Sequence, residues 1–435
     1  MDGGETTTST PSEREDTEGE LLAAERLDGP DSHTGFPTSE PVTETNPLSL
    51  AGLSDRFPAV DGCRALAAFG VVLTHVGLQS GYTFINPELG RFFARAEVGV
   101  SIFFVLSGFL LYRPFLVRRF AGQPQGDVGM YTRRRFLRIF PAYWVALTIV
   151  AFVLRAPPFQ EPHSIVAHYL LLQIYDPSQV IFGPIDQSWS LATELSFYLF
   201  LPCWAWLLAR RRRTPEAQLK LETITLAAMW VGSVGLNLGV IAMGISSGRM
   251  GQVGTWLPFR LYEFVLGMGL AVASAWMAHR GTKLPVRWSG TPFTLASWGL
   301  GGLLFVFMST RMGFPLTLEF SPLQALGLRM MYSVIGLLVV LPVVLGRQDR
   351  GLAQTLFANR VAVWLGLISY GVYIWHKAWM NKYLEWTDQL PLQASFKGMM
   401  LATVVLSIAA GAVSWYLIER PLMRRRDRRS SISAR

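Results

Sequence analysis

Arg64 and His75 lie eleven positions apart in the stretch VDGCRALAAFGVVLTHVG. On a helix that is three turns plus about 20°, so both project from one face, with His75 about 16 Å further along the axis. Histidine, with an ordinary pKa of about 6.5, can take a proton from a hydroxyl at neutral pH. A carboxylate such as Glu194, in SWSLATELSFYLFLP, can orient or balance the resulting imidazolium. That combination suits acyl transfer, although a hydrogen-bonded core histidine accounts for His75 alone. Asp61 reads as the N-cap of the helix that carries Arg64. Arg260 and Glu263 stand one turn apart, as an i, i+3 pair that neutralises itself without losing a role toward substrate. Arg329 and His376 complete the ionisable set. A second group, YTRRRFLRIFPAY, places Arg135 one turn from Arg138, where two guanidiniums match phosphate oxygens bidentately. Ordinary anchoring of a membrane helix explains the same run. No Gly-rich phosphate loop is apparent and no metal site is expected. Cys63 and Cys203 both lie in apolar runs, which excludes a disulfide framework and a cysteine zinc module; they read as small buried hydrophobes.

The elements that must position these residues follow from composition. The chain has 435 residues, 51% hydrophobic and 16% charged, against about 25% charged in soluble domains. Its apolar runs are long enough to cross a bilayer core of about 30 Å at about 1.5 Å per residue. Ten such spans are expected, at 59–79, 98–117, 138–155, 189–208, 221–245, 256–278, 291–310, 323–346, 361–380 and 397–418. The fold class is therefore all-α, a polytopic membrane protein of about ten transmembrane helices. Residues 164–175 are too few to cross and suit an interfacial or re-entrant helix. Ionisable groups inside spans are costly and usually functional. His75, Glu194, Arg260 with Glu263, Arg329 and His376 come from five spans and are expected at one level, in the outer half.

Charge is unevenly placed. Residues 1–56 hold 13 acids and three bases, so the net +9 of the chain divides into −10 there and +19 beyond. Residues 1–58 read as an acidic, Ser/Thr/Pro-rich disordered cytoplasmic tail, without the pattern of a signal peptide. Residues 59–422 form the membrane domain and 423–435 a basic cytoplasmic tail. Loops after the even-numbered spans, with the C-terminus, carry 25 bases, and the opposite segments carry eight. The positive-inside rule then puts both termini in the cytoplasm of a multi-pass cell-membrane protein. The runs at 210–213 and 424–429 flank spans and meet lipid headgroups, so nucleic acid is not an expected partner.

Several motifs in order resemble acyltransferase family 3, membrane proteins that include O-acetylases of bacterial surface polysaccharides and peptidoglycan and acylases of macrolides. VDGCRALAAFGVVLTHVG looks like the first helix of that family, with its Arg and His falling on Arg64 and His75. GVSIFFVLSGFLL resembles the second helix and supplies Ser107, Gly108 and Phe109; RRRFLRIFPAYW carries the paired Arg135 and Arg138 with Pro141. SWSLATELSFYLFLP is similar to the Trp-Ser-Leu-x-x-Glu-x-x-Phe-Tyr motif, with Leu195 where many members have a second acid. ISYGVYIWHKAW and IERP resemble the last two helices. The resemblance implies an acyl-CoA donor, acetyl-CoA by default, on the cytoplasmic side, no tightly bound cofactor, and a hydroxyl acceptor on a glycan, glycolipid or macrolide-like molecule. His75 and Glu194 would be catalytic, Arg64, Arg135 and Arg138 would bind the donor, and Ser107, Trp189, Arg260, Glu263 and His376 would contact substrate. The main rival is a transporter of a small anionic or sugar-like substrate, which mid-membrane charges also suit; no duplicated halves are apparent.

Overall fold

A computed structural model describes Met1 and residues 57–155, 159, 161–176, 183–211, 213–312 and 321–424. The expected acidic tail, apart from Met1 and its last two positions, and the basic tail beyond residue 424 lie outside the described residues. Within them the chain is helical, with no strand. Ten long helices appear where ten spans were expected: α1 (Pro58–Gln79), α2 (Val98–Phe120), α3 (Val128–Thr148), α4 (Trp189–Ala209), α5 (Pro215–Ala242), α6 (Leu257–His279), α7 (Thr291–Arg311), α8 (Pro322–Leu345), α9 (Arg360–Thr387) and α10 (Phe396–Ser414).

Nine helices among the described residues are long and apolar enough to cross a membrane. The exception is α9, whose 28 residues suffice in length. Its polar content, including His376 and Lys377, lowers its apolarity, and α9 packs against both α1 and α10. His376 is fully buried, so much of that polar surface meets protein rather than lipid. The chain is a multi-pass membrane protein.

Local signals set the helix ends. Asn359, Ser395 and Thr214 each accept a backbone N–H as N-caps of α9, α10 and α5, and Ser321 with Gln324 forms a capping box on α8. Proline opens α1, α5 and α8, where its missing N–H costs nothing. Asp61 differs from its expected role: α1 starts at Pro58 with Phe57 as N-cap, and Asp61 sits in the first turn without a capping bond. The proline at position 58 starts the helix four residues earlier than an Asp61 cap would.

The centre is built from α1, α2, α6 and α9. Small residues allow close approach in a setting where helices associate by packing rather than by the hydrophobic effect. A Cβ on Gly108 of α2 would lie 2.1 Å from the Phe264 carbonyl oxygen, and one on Gly267 of α6 would lie 1.9 Å from that of Val105. Those contacts hold α2 against α6. Toward the basic end, Glu222 of α5 is fully buried and accepts hydrogen bonds from Tyr112, Arg119 and, at 2.8 Å, Gln218, so its charge is paired and satisfied. The outward faces are apolar, with Leu199, Val231, Leu303 and Leu417 exposed, as lipid contact requires. Cys203 belongs to this outer surface. It is exposed rather than buried, because it shares the outward face of α4 with Leu199 and Trp206; Cys63 is buried as expected. The segment 164–175 is not a span. It folds as a short helix, Pro162–Tyr169, and a 3-10 turn, Gln173–Tyr175, separated at Leu171, whose φ of 56° breaks the helix.

Candidate active site

The ionisable residues gather around two cavities and a histidine pair. The first cavity opens between α1, α2, α3, α4 and α9. Arg64, Ser107, Arg135, Arg138, Ser190, Glu194, Tyr198 and Tyr373 line it, and its volume is about 60 Å³. Glu194 Oε1 accepts a hydrogen bond from Ser107 and another from the Tyr198 hydroxyl at 2.8 Å. Arg135 lies over the rings of Tyr131 and Tyr198, at 5.7 and 5.8 Å. In the basic run, Arg135 and Arg138 are half-buried and face this cavity, while Arg133 and Arg134 are exposed. Of the four, Arg135 and Arg138 reach the cavity and Arg133 and Arg134 do not.

The second cavity, of about 320 Å³, lies toward the opposite ends of α1, α2 and α4 and is completed by α6 and α8. Its lining includes Thr74, Arg95, Glu97, Trp189, Arg260, Arg329 and Tyr332. Arg260 pairs with Glu263 at 2.7 Å, the expected i, i+3 pair, donates from Nε to the Gly254 carbonyl at 2.7 Å, and lies 5.1 Å over the Trp189 ring. Val100 lines both cavities.

His75 is bonded to neither cavity's carboxylate. Its Nδ1 lies 2.8 Å from Nε2 of His376, with ring planes within 11° and centroids 5.0 Å apart, which is an edge-to-edge N–H···N bond. The tautomers follow from the third partner. His376 Nδ1 is 2.7 Å from the Tyr373 carbonyl oxygen, which can only accept, so Nδ1 carries the proton. In the neutral ring Nε2 of His376 is then an acceptor, His75 must donate from Nδ1, and the lone pair of His75 is left on Nε2. That nitrogen has no hydrogen-bond partner among the described residues, and the His75 side chain keeps partial exposure.

The start of α4 clamps this stretch of α9. Gln187 Nε2 donates to the Ile374 carbonyl at 2.8 Å, and the Tyr373 hydroxyl donates to the Gln187 carbonyl at 3.0 Å and lies 2.7 Å from Ser190 Oγ. Lys377 pairs with Asp186. The dyad thus rests on a fixed backbone. Neither histidine lines a cavity, but Thr74, the chain neighbour of His75, lines the second, and Tyr373, three residues before His376, lines the first.

Residues 57–419 match the model of the family-3 acyltransferase domain. The chain belongs to acyltransferase family 3. Acyltransferase MdmB of Streptomyces mycarofaciens is 24% identical over 409 residues, 87% of this chain and 94% of that protein. Peptidoglycan O-acetyltransferase OatA of Listeria monocytogenes is 23% identical over 347 residues, 73% of this chain. The match covers 48% of OatA, so this chain spans about half the length of that relative. No solved structure matches the chain. Family membership makes the protein an acyltransferase of the class that transfers groups other than aminoacyl groups, and it outweighs the transporter reading.

Against the sequence expectations, Arg64, Arg135, Arg138, Ser107 and Glu194 do meet at one cavity. The ionisable groups expected at one level divide between sites: Glu194 lines the first cavity, Arg260 and Arg329 line the second, and His75 and His376 pair with each other. Trp189, five residues before Glu194 and turned about 140° from it on α4, lines the second cavity. Arg95, Glu97 and Tyr332 were not anticipated. Arg95 is fully buried although it lies in an expected loop, and Tyr332 reaches Glu97 at 2.8 Å across 235 positions, which no local pattern signals.

Proposed function

We propose that this membrane acyltransferase moves an acyl group, acetyl by default, from cytoplasmic acyl-CoA to a hydroxyl of a carbohydrate or glycosylated acceptor, with both chain termini cytoplasmic. The observation that carries the reading is the bare Nε2 of His75, fixed by His376 and Tyr373. The acceptor O–H gives its proton to Nε2 as its oxygen attacks the thioester carbonyl. The C–S bond then breaks, and the thiolate leaves as CoA thiol with the proton that His75 held. The charge formed on His75 during attack is shared through the bond to His376. Arg135 and Arg138, at the basic end, would grip the CoA phosphates, Arg64 would line the donor path, and Glu194, held by Ser107 and Tyr198, would set the field in the donor cavity. Trp189, Arg260, Glu263 and the second cavity would receive the acceptor; 320 Å³ falls in the range of about 300–1,000 Å³ of small-molecule sites. The peptidoglycan acceptor in the printed name of OatA supports a glycan here.

The test is isotopic. Purified protein given labelled acyl-CoA should release CoA thiol and pass label to envelope glycan extracts, and His75→Ala should abolish both. Wild-type transfer by His75→Ala would sink the mechanism, and labelled product without thiol release would indicate a donor other than CoA.

A further inference from the structure

Among the described residues, the guanidiniums around the second cavity outnumber the carboxylates near it. Arg95, Arg260 and Arg329 surround it, and the nearby carboxylates are Glu97 and Glu263. Glu263 is taken by Arg260, and Glu97 accepts the Tyr332 hydroxyl at 2.8 Å. Arg95 is fully buried and has interactions of its own. Arg329 has no hydrogen-bond or ion-pair partner among the described residues, yet its side chain lines the cavity. Holding a guanidinium inside a membrane helix without a partner is costly, so its retention calls for a ligand. The surrounding backbone accommodates it. Gly254 gives its carbonyl to Arg260, and a Cβ there would lie 2.6 Å from Arg329 Nη1. This one residue without a side chain lets two guanidiniums converge on the same space. Trp189 adds an aromatic surface beside them.

We propose that Arg329, with Arg260 and Trp189, forms a subsite for an acidic group, carboxylate or phosphate, on the acceptor, so that the preferred acceptor is an anionic sugar rather than a neutral one. Its role as an acceptor subsite rests on the acyl-transfer reading above; its binding of anions does not. An acid placed against Arg329 neutralises the spare charge. It also leaves the sugar hydroxyls free to turn toward the His75 end of the cavity, where Thr74 lies. A neutral sugar would leave the guanidinium unpaired. One hydrogen bond to a charged group corresponds to roughly tenfold or more in affinity.

The experiment uses the full chain in phosphatidylcholine nanodiscs and three matched probes: glucose, glucuronic acid and glucose 6-phosphate. Both acidic sugars should raise the melting temperature at concentrations about tenfold below any effect of glucose. Arg329→Gln should erase that difference, Arg329→Lys should keep part of it, and Arg311→Gln, an exposed base on α7, should leave it intact. Equal behaviour of the three probes with wild-type protein, or a shift that survives Arg329→Gln, would overturn the subsite, and the wild-type comparison stands even if a variant does not fold. Nanodiscs containing phosphatidylglycerol separate the other source of phosphate. If Arg329-dependent stabilisation comes from that lipid and blocks the sugars, the site holds a headgroup and the acceptor proposal is wrong. CoA thiol release from acetyl-CoA, measured on the same preparation, isolates the parent reading: release without a preference for acidic sugars refutes the subsite alone, and the preference without release refutes the donor.

Discussion

Removing the His376 side chain tests the tautomer argument directly. The bond from His75 Nδ1 to His376 Nε2, at 2.8 Å, is a neutral hydrogen bond whose net value is about 0.5–1.5 kcal/mol. Its loss also frees the His75 ring to rotate and to place its proton on either nitrogen, so the wrong tautomer competes. Together these effects raise the barrier by about 1.5–3 kcal/mol, a fall in kcat of roughly 10–100-fold. His75→Ala removes the base itself and should cost about 100–10,000-fold. Because His376 acts through His75, the double variant should be no slower than His75→Ala. His376→Gln, whose amide oxygen can accept from Nδ1–H, should recover much of the loss. The assay is CoA thiol release against acyl-CoA concentration with acceptor saturating, and KM for the donor should stay within about twofold. Wild-type kcat in His376→Ala, or losses that multiply in the double variant, would refute the assignment.

Three further outcomes are expected. Arg135→Gln and Arg138→Gln should each raise KM for acyl-CoA about tenfold, whereas Arg133→Gln and Arg134→Gln, which alter exposed side chains, should leave it unchanged in the same thiol assay. Gly267→Leu should destabilise the detergent-solubilised protein by about 1–3 kcal/mol or more, read as a lower melting temperature, because even a Cβ there would sit 1.9 Å from the Val105 carbonyl oxygen. Cysteines introduced at Asp2 and Arg435 should both resist a membrane-impermeant maleimide in intact cells and react after permeabilisation; labelling of either in intact cells would overturn the cytoplasmic placement of that terminus.

What was legible in the sequence divides along the range of the interactions involved. Helices α1 to α10 could be located from apolar runs because bilayer thickness and helix rise are fixed lengths. The Arg260–Glu263 pair was legible for the same kind of reason, being three positions apart on one helix. The partner of His75 was not, because His376 is 301 positions away and only the packing of α9 on α1 brings them together. Depth along an axis placed Glu194 and Arg260 near one level, but depth carries no information on rotation, and the two side chains line different cavities. Cys203 shows the same limit: within a uniformly apolar helix, composition does not say which face meets lipid. The split between Arg133 with Arg134 and Arg135 with Arg138 likewise depends on which side of α3 meets the bundle.

The two cavities differ in a way that bears on how the donor reaches the dyad. At about 60 Å³ the first cavity is below the range of about 300–1,000 Å³ of small-molecule sites, so on the proposed reading a pantetheine arm would displace lining side chains. Phe103 and Tyr373 are the aromatic pair on that path, packed edge to face with centroids 6.0 Å apart. Tyr373 is also the residue whose carbonyl fixes the tautomer of His376, and its hydroxyl is held by Gln187 and Ser190. Its ring and its backbone are therefore both anchored where they border the cavity. Phe103, which has no polar atom to hold it, is the member of the pair that can yield while the carbonyl of Tyr373 keeps its place.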